Sequence, residues 1–223
     1  MLEVKKGIKE LSKHLKPVLI LGETGTGKES VARTIHAQSR KGDLPFTKLN
    51  CVFRKKQDIE SQLFMQKVRE ENSASNPKSG EKVLYLSNIE SLSKGLQERL
   101  AEAIQSTTPP DSSFEFLPDR LFISSSENLE DLVTKGQFHQ GLLDCFKETS
   151  LLIPPLRSRA ASISVIAKDF LEEKRRELST ILPKVEEEVF TALCLYSWPG
   201  NIKELRNVLE KLILTCSNQQ TIG

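Results

Sequence analysis

Little in this sequence is grouped the way metal centres and disulfide frameworks require. Its four cysteines (Cys51, Cys145, Cys194 and Cys216) are scattered and form no CxxC pair. That usage suits buried free thiols in a reducing compartment rather than a set of crosslinks. The three histidines are equally dispersed, so no metal site is expected. An excess of one charge is missing too. With 32 Lys and Arg against 30 Asp and Glu, the formal net charge is +2, and nothing demands a nucleic-acid or membrane partner. No apolar run approaches the roughly 18 residues of a membrane span. Residues 1–16 are rich in lysine but lack the long apolar stretch of a signal peptide, so a cytoplasmic protein is expected. There is no internal repeat. A chain of 223 residues with 38% hydrophobic content can bury a substantial core, roughly 70% of its unfolded surface.

One segment stands out against this background. The apolar run Val18–Leu21 leads into Gly22, Glu23, Thr24, Gly25, Thr26, Gly27, Lys28 and Glu29. The spacing G-x-x-x-x-G-K is that of a phosphate-binding loop. Glycines allow the backbone to curl until several N–H groups face one oxyanion, and the following helix adds its positive end. Lys28 would reach the outer phosphates as a point charge. An accidental glycine-rich turn would need neither the strand before it nor the helical pattern after it. Hydrolysis is a separate question. A P-loop motor usually follows its lysine with Ser or Thr to ligate Mg²⁺, and it places acids at the end of a second strand. Here Glu29 follows the lysine, and the candidate strand over residues 83–86 runs into Ser87 and Asn88.

Along the chain, apolar spacing predicts a helix over residues 2–15, a strand at Val18–Leu21 and a helix over 29–38. A strand at 46–49, a helix over 59–69 and a polar surface loop over 71–81 follow. Strands at 83–86, 121–123 and 151–153 flank a helix over 92–104 and an irregular, proline-rich connection over 107–119. Strands alternating with helices imply a mostly parallel sheet with helices on both faces. After Pro154 and Pro155 the pattern is purely helical, with helices over 163–178, 185–195 and 201–215. Asn201 reads as the N-cap of the last, with Glu204 completing a capping box. The charge run over 168–177 reads as the solvated face of a lid helix. The chain thus divides into an α/β body over residues 1–156 and a helical lid over 157–223.

Four stretches carry a family resemblance: residues 22–29 (GETGTGKE), 49–51 (LNC), 153–159 (IPPLRSR) and 198–207 (WPGNIKELRN). The chain resembles the AAA+ central domain of bacterial enhancer-binding proteins, the NtrC-like activators of sigma-54 RNA polymerase. The likeness spans nearly the whole length, and in this family Glu after the P-loop lysine is a usual feature. It implies the P-loop NTPase AAA+ fold, an α/β wedge with a C-terminal helical lid, and a ring holding ATP between neighbours. It also marks departures. Ser87 and Asn88 stand where the family has the Walker B Asp and Glu, and Ser125 and Ser126 where its sensor is Thr-Asn. His139 and Cys145 occupy the two arginine-finger positions. Lys203 replaces the arginine of the second sensor, keeping charge without the forked geometry. Asn50 matches the family's switch residue without its glutamate partner. The GAFTGA loop that inserts into sigma-54 has no counterpart; residues 68–75 read VREENSAS.

The resemblance therefore implies a domain that binds ATP or ADP through residues 22–29 and Lys203, with Mg²⁺ weakly provided for and no residue assigned to catalysis. Nucleotide would set the angle between body and lid. The partner would be an AAA+ homologue or a protein of the transcription machinery. No DNA-binding motif is present in these residues, and a monomer, a mixed ring and a homohexamer all stay open. Two other readings remain. In one, the chain is an active ATPase with displaced groups, Glu90 being the nearest acid if the strand end shifts by two residues. In the other, the P-loop is a relic on a protein-interaction scaffold.

Overall fold

The computed structural model describes residues 2–66, 82–106, 115–178, 184–215 and 221–222. They form two compact units, Met1–Leu21 with Lys28–Leu152, and Gly22–Gly27 with Ile153–Gly223.

The first unit is built on five parallel strands: β1 (Val18–Leu21), β2 (Phe46–Asn50), β3 (Val83–Ser87), β4 (Arg120–Ser125) and β5 (Ser150–Leu152), in the order β2-β3-β4-β1-β5. Continuous apolar runs such as Val18 to Ile20 and Val83 to Leu86 are buried throughout, as strands covered on both faces must be. Alternate residues divide between the faces. Leu19, Leu84, Leu86, Leu121 and Ile123 pack with Ile59 and Leu63 of α3 (Lys56–Leu63) and Leu96 and Leu100 of α4 (Lys94–Gln105). On the opposite face Phe46 lies 5.9 Å from Tyr85 and 6.1 Å from Phe122, ring centre to ring centre. Arg33 and His36 of α2 (Lys28–Ala37) cover Phe46, the guanidinium 4.4 Å from the ring centre. The helix α1 (Leu2–Leu11) is tied to this second face, because buried Arg120 donates to the Leu11 carbonyl at 2.6 Å. Helices therefore lie on both faces, as the alternation of elements predicted.

Element bounds differ where local pattern is weak. The first helix stops at Leu11 rather than residue 15. The helix expected over 59–69 is α3, starting three residues earlier and ending at Leu63. Met65–Gln66 then pairs antiparallel with Glu115–Phe116, which belongs to the connection read as irregular. The polar loop over 71–81 and residues 107–114 lie outside the described residues. Two short helices carried no clear periodicity, α5 (Leu129–Thr134), capped by the Asn128 side chain, and α6 (Gln140–Asp144). The thiols also depart from expectation: Cys51 is buried, but Cys145 and Cys194 are only partly so, and Cys216 lies outside the described residues.

In the second unit, α7 (Ile163–Leu178) and α9 (Asn201–Thr215) run over the bounds the periodicity gives, and α8 (Glu187–Leu195) starts two residues late. Ile163, Ala167 and Phe170 of α7 meet Phe190 of α8 and Leu205 and Leu209 of α9 in a common core. The charged stretch of α7 faces water, with Glu172–Arg175 and Lys174–Glu177 pairs at 3.0 and 2.8 Å. This unit is not purely helical. Lys184–Val185 pairs in parallel with Thr221–Ile222, a contact between residues too distant in sequence for local pattern to reveal.

Gln97 in α4 is fully buried. Its Nε2 donates to the Leu92 carbonyl at 2.7 Å, and its Oε1 accepts from the His139 N–H at 2.8 Å. Gln97→Leu would leave both backbone groups buried without partners, at about 1–3 kcal/mol each. The substitution is expected to destabilise the chain by about 2 kcal/mol or more in denaturant unfolding, although leucine is the more apolar residue.

Candidate functional site

The loop over residues 22–27 belongs to the C-terminal unit, and its backbone carbonyls show why. A loop that curls its N–H groups inward turns carbonyls outward, where they need donors from protein or water. Three successive ones are met by this unit. Thr24 O accepts from the Asn201 side-chain amide at 3.0 Å. Gly25 O accepts from the Ile202 N–H at 3.0 Å and the Lys203 N–H at 3.4 Å. Thr26 O accepts from Arg159 at 2.9 Å. The approach is close: Gly25 has φ +81°, and a β-carbon there would run into the Gly200 carbonyl oxygen. At Gly22 (φ +148°) a β-carbon would lie 2.7 Å from the Ile153 carbonyl oxygen. Thr26 is buried, and its hydroxyl donates to the Glu23 carbonyl at 2.8 Å.

Side chains reinforce the same contacts. Glu23 takes two bonds from Arg157, at 2.8 and 2.5 Å, and one from Asn201 at 3.1 Å. The Arg157 guanidinium, with help from the Asn201 amide, lowers the Glu23 carboxyl to about 2. Asn201 is therefore not the side-chain N-cap that its position predicted. Its backbone is left-handed (φ +54°), its amide reaches the loop, and its Oδ1 accepts from the Leu156 N–H at 2.8 Å. The first N–H groups of α9 are satisfied by Gly25 instead, while Glu204 reaches back to the Gly200 N–H at 2.7 Å. Lys203 sits in the first turn of α9, its β-carbon 3.2 Å from where a Gly25 β-carbon would stand.

In the N-terminal unit, Lys28 is the first residue of α2. Its ammonium donates to Ser126 Oγ at 2.8 Å. Burial pulls the Lys28 pKa down, and the negative charge of Glu90 opposes that pull. A bound phosphate would act in the same sense as Glu90, so this lysine suits an anion. Glu29 does not point its charge into open space: its carboxylate is bonded by Lys48 at 2.5 Å and by Arg33 at 2.9 and 3.1 Å. Burial raises the Glu29 pKa, but these cations outweigh it and the net shift is downward.

At the carboxyl end of β3, Ser87 donates to the Leu49 carbonyl at 3.4 Å and pairs in register with Asn50. Asn50 turns its own Oδ1 to the Val52 N–H at 3.0 Å. Asn88 adopts a left-handed conformation (φ 61°, ψ 53°) and is followed by a single 3-10 turn, Ile89–Ser91. Ser125 is buried and bonded to the Glu127 backbone. His139 precedes α6 and Cys145 follows it, the thiol 3.1 Å from the Gly141 carbonyl. Residues 68–75 lie outside the described residues. Among the described residues, no group of three or more His, Cys, Asp and Glu could hold a metal ion, and no helix is long and apolar enough to cross a membrane. Arg157, Arg159 and Asn201 were not singled out as site residues from sequence, though all three lie in the two C-terminal stretches that carried the resemblance.

Residues 1–151 match the family described as the sigma-54 interaction domain, and residues 157–223 match the AAA+ ATPase lid domain. The chain is similar to the regulatory protein AtoC of Escherichia coli strain K12, 30% identical over 228 residues, covering 96% of this chain and 48% of the relative. It is 33% identical over 217 residues to the alginate biosynthesis transcriptional regulatory protein AlgB of Pseudomonas putida, covering 91% and 47%. It thus spans less than half the length of these curated relatives. Among solved structures, NtrX from Brucella abortus in complex with ATP has a TM-score of 0.80 at 23% identity, covering 100% of this chain and 53% of that one. The ADP complex of the same protein has a TM-score of 0.79 at 24% identity, covering 97% and 50%. At those identities the likeness is one of fold.

Because the shift at Glu23 originates in Arg157, the pair can be read by titration. A carboxyl lowered from 4.5 to about 2 adds stability above the ordinary range and loses it as pH falls through about 2. In Arg157→Gln the Glu23 midpoint, followed by carboxyl carbon NMR, is expected to rise towards 4.5. An unchanged midpoint would show that the pair does not hold the loop.

Proposed function

This chain belongs to the sigma-54 interaction domain family, and from that premise we propose that it is a nucleotide-binding regulatory module with impaired hydrolysis. The observation that carries the reading is the contrast at the carboxyl edge of the sheet. The loop over 22–27 and Lys28 keep the composition and spacing of a phosphate cradle. The end of β3 offers a serine bonded to a backbone carbonyl and an asparagine in a left-handed turn. Neither can hold a divalent ion as a carboxylate does, or take a proton from an attacking water.

Magnitudes favour loss of turnover over its disguise. An arginine finger is worth roughly 10³–10⁵ in rate in P-loop enzymes. Here the finger positions carry His139 and Cys145, whose backbone and thiol are engaged with neighbouring groups of the same unit. Lys203 keeps one positive charge near Gly25 but does not restore a planar fork.

Bound ATP or ADP would supply a polyanion to balance Lys28, and the loop would hold it through backbone N–H groups. Anything that moves the loop acts on α9, because Gly25 caps that helix and Asn201 and Arg159 bond the adjoining carbonyls. The partner that reads this is an AAA+ homologue or a protein of the transcription machinery.

Calorimetry of ATP with Mg²⁺ is expected to show micromolar binding, about −8 kcal/mol, that is lost in Lys28→Ala. Phosphate release by the wild-type chain is expected to stay at the Lys28→Ala background. A clear turnover abolished by Lys28→Ala would overturn the impairment. Absence of binding in both proteins would leave an interaction scaffold.

A further inference from the structure

We propose that Glu90 makes nucleotide binding by this chain dependent on a divalent cation, by placing a carboxylate where a magnesium–nucleotide complex would meet it beside Lys28. The inference rests on the nucleotide-binding reading and adds a residue that strand-end alignment passes over.

The geometry comes from the turn after β3. The strand keeps its register through Ser87 and then leaves the sheet. Asn88 is left-handed, and the single 3-10 turn Ile89–Ser91 follows at once. The Asn88 side-chain amide then donates to Glu90 Oε1 at 3.4 Å, fixing the carboxylate. The second oxygen, Oε2, is buried and has no hydrogen-bond partner among the described residues. A carboxylate oxygen left in that state is costly, and each such atom calls for an explanation.

Its surroundings supply one. The turn follows β3, Ser126 follows β4, and β3 is hydrogen-bonded to β4, which is hydrogen-bonded to β1. Ligands of parallel α/β sheets bind outside this edge, at the carboxyl ends of the strands. Lys28 donates to Ser126 there, and the charge of Glu90 acts on Lys28 on one side. On the other it helps hold the Cys51 thiol neutral, burial being the larger cause of a pKa pushed up to about 12. The carboxylate thus belongs to the phosphate edge and is not consumed by a protein partner of opposite charge at Oε2.

The consequence is electrostatic. A bare triphosphate brought to Lys28 meets the negative charge of Glu90 as well, and the repulsion offsets part of what the lysine contributes. Magnesium needs only one or two carboxylates when phosphates and waters fill the remaining positions. Glu90 offers one such carboxylate, and a cation reaching the buried Oε2 would give that oxygen the partner it lacks. It does not supply a base aligned on an attacking water, so binding and turnover remain separate properties.

The test is ATP affinity by calorimetry, with excess Mg²⁺ and with excess EDTA, for the wild-type chain, Glu90→Gln, Glu90→Ala and Lys28→Ala. The wild type is expected to weaken by about tenfold or more when metal is removed, a factor that corresponds to one decade in Kd. Both Glu90 variants are expected to bind metal-free ATP more tightly than the wild type does. Their dependence on Mg²⁺ should shrink to about threefold or less, well under one decade in Kd. An equal metal dependence in wild type and both variants overturns the role of Glu90 while leaving nucleotide binding intact. Wild-type binding that matches Lys28→Ala in every condition overturns the nucleotide reading itself, and this inference with it.

Discussion

A loop that presents its N–H groups to an anion must do something with the carbonyls on its other side. That constraint organises much of this molecule. Thr24, Gly25 and Thr26 each have a carbonyl bonded by a donor from residues 159 or 201–203. Each net hydrogen bond is worth about 1 kcal/mol. The loop therefore groups with the C-terminal unit although the chain on either side of it belongs to the sheet unit. The helix gains as well, because the first N–H groups of α9 are among those every helix leaves unsatisfied. One set of bonds closes both accounts.

Sequence pattern reached the parts of this arrangement that local chemistry determines. The strands were legible because apolar runs covered on both faces leave no alternation to interpret. The bounds of α7 and α9 were legible because Ile163, Ala167 and Phe170, and Leu205, Leu209 and Ile213, keep a helical spacing. The loop was legible from glycine placement and its lysine. The cap of α9 was not. Asn201 and Glu204 fit a capping box as a local pattern, yet the structure uses a carbonyl remote in sequence and turns the asparagine to another task. Local rules lose where a tertiary partner satisfies the same group better.

The same limit explains the site residues that spacing passed over. Arg157 and Arg159 gain their roles from Glu23 and Thr26, more than 130 residues earlier. Glu90 was visible as the nearest acid, but its orphaned oxygen and its charge acting on Lys28 appear only in the structure. The substitutions at Ser87, Asn88, Ser125, Ser126, His139 and Cys145 are legible as residues, and the structure adds what each touches. Ser126 is the clearest case. The resemblance puts it at a sensor position, and the structure shows it receiving the ammonium of Lys28.

The division of labour between backbone and side chain at the loop bears on recombination among relatives. Three of its acceptors are peptide carbonyls, which every sequence possesses. Joining residues 1–152 of one family member to the remainder of another therefore preserves those bonds whenever the second parent brings an asparagine and an arginine at the positions of Asn201 and Arg159. Other contacts demand matched parents: the Glu23 carboxylate with Arg157 and Asn201, and the glycines at 25 and 200, where a side chain on Gly25 would meet the Gly200 carbonyl. The compatibility of an exchanged C-terminal segment therefore rests on a short set of positions: 23, 25, 157, 159, 200 and 201.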